Sequence, residues 1–395
     1  MPLFERRLRI AVLTRNYGRH KGGAENYAVS LAEQLAFKHE VHVYCQTEFN
    51  QHPQVQTHVM SVMLTKPRWL NMLLYSAWTF LQTRRGFDIV HSHENVFHGN
   101  VQTFHVKPVT HNLFHGKRGL SLWWAWLKAW LSPRLLTYLA VERHRVRSPS
   151  KRLLITASQL LKDLYAQTFN LKSSDIHVLT PGVTPVVSSP LGRVQTQVAP
   201  QSKASCRQAL GLPADQQILL MVGHNYEKKG LGTLLHALTQ LSTNHVLAVV
   251  GDTHQIPVWR QKAQQLGVDE RVFFLGQQTH MDKVYPACDL FVHATLEDVF
   301  PIVVLEAMSH GLPVIVSPAP YCLSSNLLTH QHQAWVLNDP HDHLELAKAV
   351  ETIETQAALR TALLKHAKLF VQQYSWDNLA QAQLRMYFDL LDRTP

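Results

Sequence analysis

Cysteine is scarce and scattered. Cys45, Cys206, Cys288 and Cys322 are the only four among 395 residues, and no two form a Cys-x-x-Cys pair. That excludes a disulfide framework and a zinc ribbon, and predicts buried thiols in a reducing cytosol. Charged residues are also few, 17% against 46% hydrophobic, and glycine (17) and proline (19) are not enriched. A disordered, collagen-like or low-complexity chain is therefore excluded. No apolar run reaches the about 18 residues that a membrane-spanning helix needs. The nearest approach, 120–141, is interrupted by Lys128, Pro133 and Arg134. The opening residues MPLFERRLRIAVLTR place Arg9 inside a short apolar run, with no small-residue cleavage site after it. They predict no signal peptide. Also missing are a G-x-G-x-x-G fingerprint, a His-Glu-x-x-His pair, an Asp-x-Asp at a strand end and a serine nucleophile elbow. A dinucleotide site, a metal site and an enzymic Ser or Cys nucleophile are thus unsupported, and no cofactor or metal is expected.

The net charge of +10 is unevenly spread. Residues 1–152 hold 21 Lys/Arg against 8 Asp/Glu, whereas residues 153–395 hold 17 against 20. A basic half implies an anionic partner: nucleic acid, a phosphorylated small molecule or an acidic membrane surface. Basic and aromatic residues on a helix-turn-helix or RNA-recognition platform are not found, so nucleic acid is not expected.

Apolar runs alternate with amphipathic ones. Residues 8–14, 40–46, 88–93, 155–158 and 176–183 read as strands in the first half, with a helix from about Ala24 to Phe37 after the first. In the second half the strands are 218–223, 245–251, 271–276, 290–295 and 312–317, with helices at 231–242, 257–267, 281–287 and 302–310. This alternation predicts an α/β chain of two Rossmann-like, doubly wound domains facing across a cleft. The polar segment Pro185–Ser205 is the natural boundary, giving domains 1–185 and 206–373. Ligands in such sheets bind beyond the carboxyl ends of the strands.

Four clusters carry chemistry. In LFVHATLEDVFPIVVLEAMSHGLPVIVS (290–317), Asp298 lies in a loop and Glu306 in the helix that follows Pro301. Two such carboxylates accept hydrogen bonds from a polyol, or else cap and solvate a helix. In MVGHNYEKKGLGTLLHAL (221–238), Lys228, Lys229 and Gly230 precede a helix. Two cations beside helix N–H dipoles suit a diphosphate, although a Lys-Lys-Gly turn is commonly just a solvated turn. Gly22 and Gly23 precede the first helix, where the missing Cβ allows phosphate or sugar to approach the backbone. Among 25 histidines, His105 closes Thr103-Phe104-His105, while His91 and His93 follow Asp88; His111 is a weaker candidate.

These segments together resemble glycosyltransferase family 4, retaining enzymes of the GT-B fold. The family signature is an acid, seven residues, then Glu-Ala-Met, a Gly and Pro-Val-Ile. Asp298, Glu306-Ala307-Met308, Gly311 and Pro313-Val314-Ile315 fall on it. The first acid is Asp in place of the usual Glu, and Val299-Phe300-Pro301 replaces Gly-Phe-Gly. The Gly-x-x-aromatic-x-basic-Lys-Gly form of 223–230 is closest to lipopolysaccharide-core glycosyltransferases. Gly-Gly-Ala-Glu (22–25), the Asp-x-x-His-x-His of 88–93, Thr180-Pro181-Gly182-Val183 and Tyr374-Ser375-Trp376 also match, so the resemblance covers nearly the whole chain.

The resemblance implies a hexosyltransferase that moves a sugar from a nucleoside diphosphate to a lipopolysaccharide-core or other lipid-linked cell-envelope glycan. Lys228, Lys229, Glu306, Gly22 and Gly23 would bind the donor. Asp298 would hold the transferred sugar and His105 would line the catalytic cleft, with no metal. The terminal helix, about 374–392, would pack back on the first domain. An epimerase or phosphorylase on the same fold, or a non-catalytic membrane-associated binding protein, are the alternatives.

The region 117–152 holds Trp123, Trp124, Trp126 and Trp130 between basic flanks. Tryptophan beside cations suits a headgroup layer, although a buried helical pair would use the same residues. The expectation is peripheral contact with an anionic membrane, at the cytoplasmic face of the inner membrane.

Overall fold

The computed structural model describes residues 6–18, 23–49, 51–61, 64, 66–147, 152–183, 202–298 and 301–393. The chain divides into two compact units, one of Met1–Gly182 with Trp376–Pro395, the other of Val183–Ser375. Of the polar segment 185–205, only 202–205 lies among the described residues.

The first unit is built on β1 (Arg9–Leu13), β2 (Glu40–Cys45), β3 (Val55–Val59), β4 (Ile89–Ser92), β5 (Val101–Phe104), β6 (Leu153–Thr156) and β7 (Ile176–Val178). They form one parallel sheet in the order β3-β2-β1-β4-β5-β6-β7. Alternate residues of β1 serve opposite faces. Ile10 and Val12 pack with α1 (Gly23–Ala36), whereas Ala11 and Leu13 pack with α2 (Arg68–Thr83) through Tyr75. A parallel sheet covered on both sides needs such near-continuous apolar strands.

Two of the elements without an expected range show why the sequence pattern misses them. The strand β3 lies at the sheet edge and is mostly polar and half-exposed. In α2 the usual pattern is blurred: Ser76, Thr79 and Thr83 are buried beside Met72 and Tyr75, while Phe80 and Leu81 face solvent. The strand expected over 176–183 stops at Val178, because Pro181 has no N–H for a ladder. The remaining helices of this unit are α3 (Val109–Phe114), α4 (Gly119–Trp130), α5 (Pro133–Arg145) and α6 (Gln159–Phe169).

The second unit has β8 (Gln217–Gly223), β9 (His245–Gly251), β10 (Val272–Gly276), β11 (Leu290–His293), β12 (Val314–Val316) and β13 (Trp335–Val336), in the order β10-β9-β8-β11-β12-β13. Its helices are α7 (Lys203–Ala209), α8 (Leu231–Gln240), α9 (Ile256–Gln265), α10 (Met281–Ala287), α11 (Ile302–Ser309), α12 (His343–Thr355) and α13 (Ala357–Val371). Leu219, Met221, Leu247, Val249 and Val292 face one core, with α8 and α12. Ile218, Leu220, Val246, Ala248 and Phe291 face the other, with α10, α11 and α13. The period of two along each strand thus produces the doubly wound form. Finally, α14 (Trp376–Arg393) returns to the first unit, where Leu379, Tyr387 and Phe388 join the core beneath α1.

The order reverses between β8 and β11, and the site is positioned there. Gly230 caps α8 with φ +78°, and a Cβ on it would lie 1.9 Å from the Ala294 carbonyl oxygen. The Lys228 carbonyl accepts from Leu296 N–H at 2.7 Å and from the Thr295 hydroxyl at 3.0 Å. The two loops therefore meet backbone to backbone. Gly230→Ala should cost about 2 kcal/mol or more, combining strain at positive φ with a forced loop displacement. Urea unfolding of the variant measures it, and a loss below about 0.5 kcal/mol would show that the contact is slack.

Candidate functional site

In the second unit, Lys228, Lys229 and Asp298 come together over the ends of β8 and β11. Lys228 Nζ pairs with Glu297 Oε2 at 2.6 Å in an exposed ion pair. Lys229 Nζ pairs with Asp298, and both are largely covered. The same carboxylate accepts from His293 Nε2 at 3.1 Å. Burial alone would raise the pKa of Asp298, but the hydrogen bond from His293 and the charge of Lys229 prevail and hold it down at about 2. His293, at the end of β11, is fully buried, and burial lowers its pKa against the pull of Asp298. Its ring is thus neutral near pH 7, with Nε2–H aimed at an ionised acceptor. Its other nitrogen, Nδ1, is buried without a partner. No side chain caps the start of α8; the Leu231 N–H is taken by the Tyr226 carbonyl at 3.0 Å, and the N–H groups of Gly232 and Thr233 follow it in the first turn beside the lysines.

Glu306 stands apart from this cluster. It is the fifth of eight residues in α11, not in the first turn, so the helix dipole does little for it. Its Oε2 accepts from the Tyr285 hydroxyl at 2.7 Å, and its carbonyl accepts from His310 Nδ1 at 2.8 Å. Burial raises its pKa, with the tyrosine hydrogen bond opposing. Val299 and Phe300, where the signature departs most, lie outside the described residues.

In the first unit His105 follows β5. Its Nε2 meets His93 Nδ1 at 3.0 Å, and Tyr27 of α1 lies edge-on to the imidazole with centroids 5.2 Å apart. Gly23 is the first residue of that helix and is exposed; Gly22 lies outside the described residues. His91 is buried, with Nδ1 2.6 Å from the Tyr387 hydroxyl and Nε2 2.6 Å from Thr103 Oγ1. Buried Arg145 donates to Gln102, Asn95 and the Thr103 carbonyl. At the switch between β1 and β4, Arg15 Nε pairs with Glu94 at 2.9 Å. His111 sits away from this group, stacked on His115 with centroids 4.1 Å apart.

The sequence expectations missed His293, Tyr285, Arg145 and the Arg15–Glu94 pair. One signal was available for His293: a histidine closing an apolar strand five residues before an acid. The other three depend on long-range packing.

The tryptophan-rich segment is not a buried pair. On α4 only Ala125 and Ala129 are buried, while Trp123, Trp124, Trp126 and Trp130 are each more than half exposed. Lys117, Arg118, Lys128 and Arg134 surround them and are exposed. Among the described residues no helix is long and apolar enough to cross a membrane, and no group of three or more His, Cys, Asp or Glu is placed to hold a metal ion.

Residues 21–186 match the Glycosyltransferase Family 4 model, and residues 202–370 match the model of Glycosyl transferases group 1. The chain is 26% identical over 243 residues to the lipopolysaccharide glucosyltransferase WaaG of Escherichia coli K12, covering 60% of this chain and 62% of WaaG. It is 28% identical over 259 residues to the D-inositol 3-phosphate glycosyltransferase of Mycolicibacterium smegmatis, covering 63% and 55%. The match therefore spans less than two thirds of either relative's own length. The crystal structure of WaaG has a TM-score of 0.78 at 22% identity, over 96% of this chain and 99% of that one. HepE of Anabaena, solved with UDP and glucose, has a TM-score of 0.72 at 17% identity, over 96% and 99%. Identities this low show a shared fold, the two Rossmann-like domains of the GT-B class.

Burial holds His91 and His105 near a pKa of about 3 and His93 well below its usual value. Unfolding returns each toward about 6.5, so the unfolded chain binds more protons throughout the interval between. Stability is therefore full above about pH 6.5 and falls progressively as pH drops toward about 3. Thermal melts across this range should show that loss, and His91→Gln should flatten the slope. An unchanged slope would mean that His91 titrates normally in the folded protein.

Proposed function

The chain belongs to glycosyltransferase family 4, and we propose that it transfers a sugar, with retention, from a nucleoside diphosphate to a hydroxyl of a lipid-linked cell-envelope glycan. One observation carries this: two lysines held by a backbone clamp at the start of α8, which no side chain caps, on the switch point of the second sheet. A diphosphate needs such fixed N–H dipoles plus mobile cations. UDP and glucose bound to the similarly folded HepE support a nucleoside diphosphate sugar as donor.

Lys228 and Lys229 are assigned to the diphosphate. Each already holds a carboxylate, so phosphate oxygens exchange for Glu297 and Asp298 without stranding a bare cation. Asp298, once released and still ionised, accepts from hydroxyls of the transferred sugar. Glu306, whose raised pKa makes it a weaker anion, accepts from the nucleotide ribose. In the first unit His105 meets a sugar hydroxyl, and the exposed Gly23 at the start of α1 leaves room for donor or sugar. In the reaction the bond from anomeric carbon to phosphate oxygen breaks, and one to the acceptor oxygen forms on the same face. The acceptor proton passes to the departing phosphate.

The lipid-linked acceptor and contact with anionic membrane rest on the α4 surface. Its exposed tryptophans and surrounding cations fit the boundary between headgroups and acyl chains, with about 1 kcal/mol from each nearby Lys or Arg.

Nucleoside diphosphate should be released only when acceptor is present. Lys229→Ala and Glu306→Ala should each lower kcat/KM for the donor about 30-fold or more. A wild-type protein that binds no nucleotide sugar would end the transferase proposal. Flotation with anionic vesicles at low salt should carry the protein upward, and the double variant Trp124→Ser, Trp130→Ser should stay behind. Equal flotation of the two would remove α4 as the docking face.

A further inference from the structure

His105 has two ring nitrogens and only one is open. Nε2 is taken by His93 at 3.0 Å. Among the described residues Nδ1 makes no hydrogen bond, and it is not buried without a partner, so it is the nitrogen open to a substrate. What Nδ1 offers, a proton or a lone pair, is set by the bond at Nε2.

We propose that His93 is a positioning residue that fixes the tautomer of His105. Its Nδ1–H donates to Nε2 of His105, so that His105 presents Nδ1–H as a hydrogen-bond donor to a substrate oxygen. This rests on the assignment of His105 as a substrate contact.

Three features of the unit support it. First, both rings are neutral: burial and the positive charge of Arg145 oppose protonation of either. A bond between two neutral imidazoles needs one N–H and one lone pair, so only two arrangements exist. Second, Nε2 of His93 is buried without a partner, and so is the hydroxyl of Tyr27 beside it. If His93 accepted at Nδ1, its own proton would sit on that orphaned Nε2. If it donates, Nε2 keeps only a lone pair, and buried N–H groups without partners are the rarer defect. Third, the geometry is locked. His91 stacks on His93 with centroids 4.2 Å apart and is itself pinned by Tyr387 and Thr103. Tyr27 closes the other side of both His93 and His105. Turning either ring over would bring a carbon to the place of the bonded nitrogen and break the His93–His105 hydrogen bond.

In water a histidine favours the opposite, Nε2–H tautomer, so without His93 the open Nδ1 of His105 becomes an acceptor. The test is nitrogen NMR of histidine-labelled protein, with the signals of His105 identified by their loss in His105→Gln. The expected result is a protonated Nδ1 and a bare Nε2 in the wild type. His93→Phe should reverse this and lower kcat about tenfold, the value of one misdirected hydrogen bond. Binding of the nucleoside diphosphate alone should be unchanged. His93→Asn, whose amide reaches the position of Nδ1, should restore both tautomer and rate. A protonated Nε2 in the wild type overturns the proposal, whether or not transfer occurs. So does a His93→Phe protein with reversed tautomer and full kcat. Full transfer by His105→Gln would instead remove His105 from the substrate contacts, a failure of the functional assignment and not of the tautomer.

Discussion

The clamp between the loops after β8 and β11 is the constraint on which the second unit's chemistry depends. One carbonyl, that of Lys228, receives two donors from the neighbouring loop, and Gly230 leaves no room for a side chain between them. This fixes the two lysine backbones against Glu297 and Asp298 before any side chain is considered. It also turns the start of α8 toward the same place. An anion site built so has its dipoles preset by backbone, and only the lysine side chains need to adapt. Binding then orders few rotamers, which keeps the entropic cost low.

The same fold produces opposite protonation outcomes. Asp298 is buried yet ionised, because a neutral histidine donates to it and a lysine pairs with it. Glu306 is covered too, but its partner is a phenol, which brings no charge, and its pKa rises. Burial is common to both; the His293 hydrogen bond together with the Lys229 cation separates them. Among the described residues of the first unit no carboxylate bonds His91, His93 or His105, and the positive charge of Arg145 acts on His93 and His105. Those rings stay neutral, and in the proposed reading they act through tautomer, not through charge. The two sets of side chains therefore suit different tasks, one holding charge and the other directing hydrogen bonds.

Much of this was legible in the sequence. The buried strands β1, β8 and β9 are continuous apolar runs, and their alternation with helices gives the doubly wound form directly. The glycine and lysines of 228–230 and the acids at 298 and 306 announce themselves by spacing. What escaped did so for physical reasons. Edge strands β3 and β13 bury little and carry a weak pattern. In α2 the buried face mixes Met72 and Tyr75 with Ser76, Thr79 and Thr83, while Phe80 and Leu81 look outward, so hydrophobic periodicity is blurred. His93 reads as a core histidine, and it is one; its bond to His105 appears only when β4 and β5 are paired. The sequence puts Glu306 in a helix, but its position past the first turn and its tyrosine partner, 21 residues earlier, are seen only in the fold.

The charge asymmetry of the sequence becomes sharper once the units are drawn. The first unit, with the C-terminal helix included, holds 25 Lys/Arg against 13 Asp/Glu; the second holds 13 against 15. The proposed diphosphate site in the second unit does not call for the larger excess, because cations at contact distance need no diffuse field, and Lys228 and Lys229 are each paired with a carboxylate. A diffuse positive field serves a different purpose, since it acts over roughly the Debye length of about 8–10 Å on an extended anionic surface. That field lies in the unit that exposes the tryptophans of α4. Charge of long reach and apolar surface of short reach occur together there, as attraction to anionic lipid followed by insertion requires.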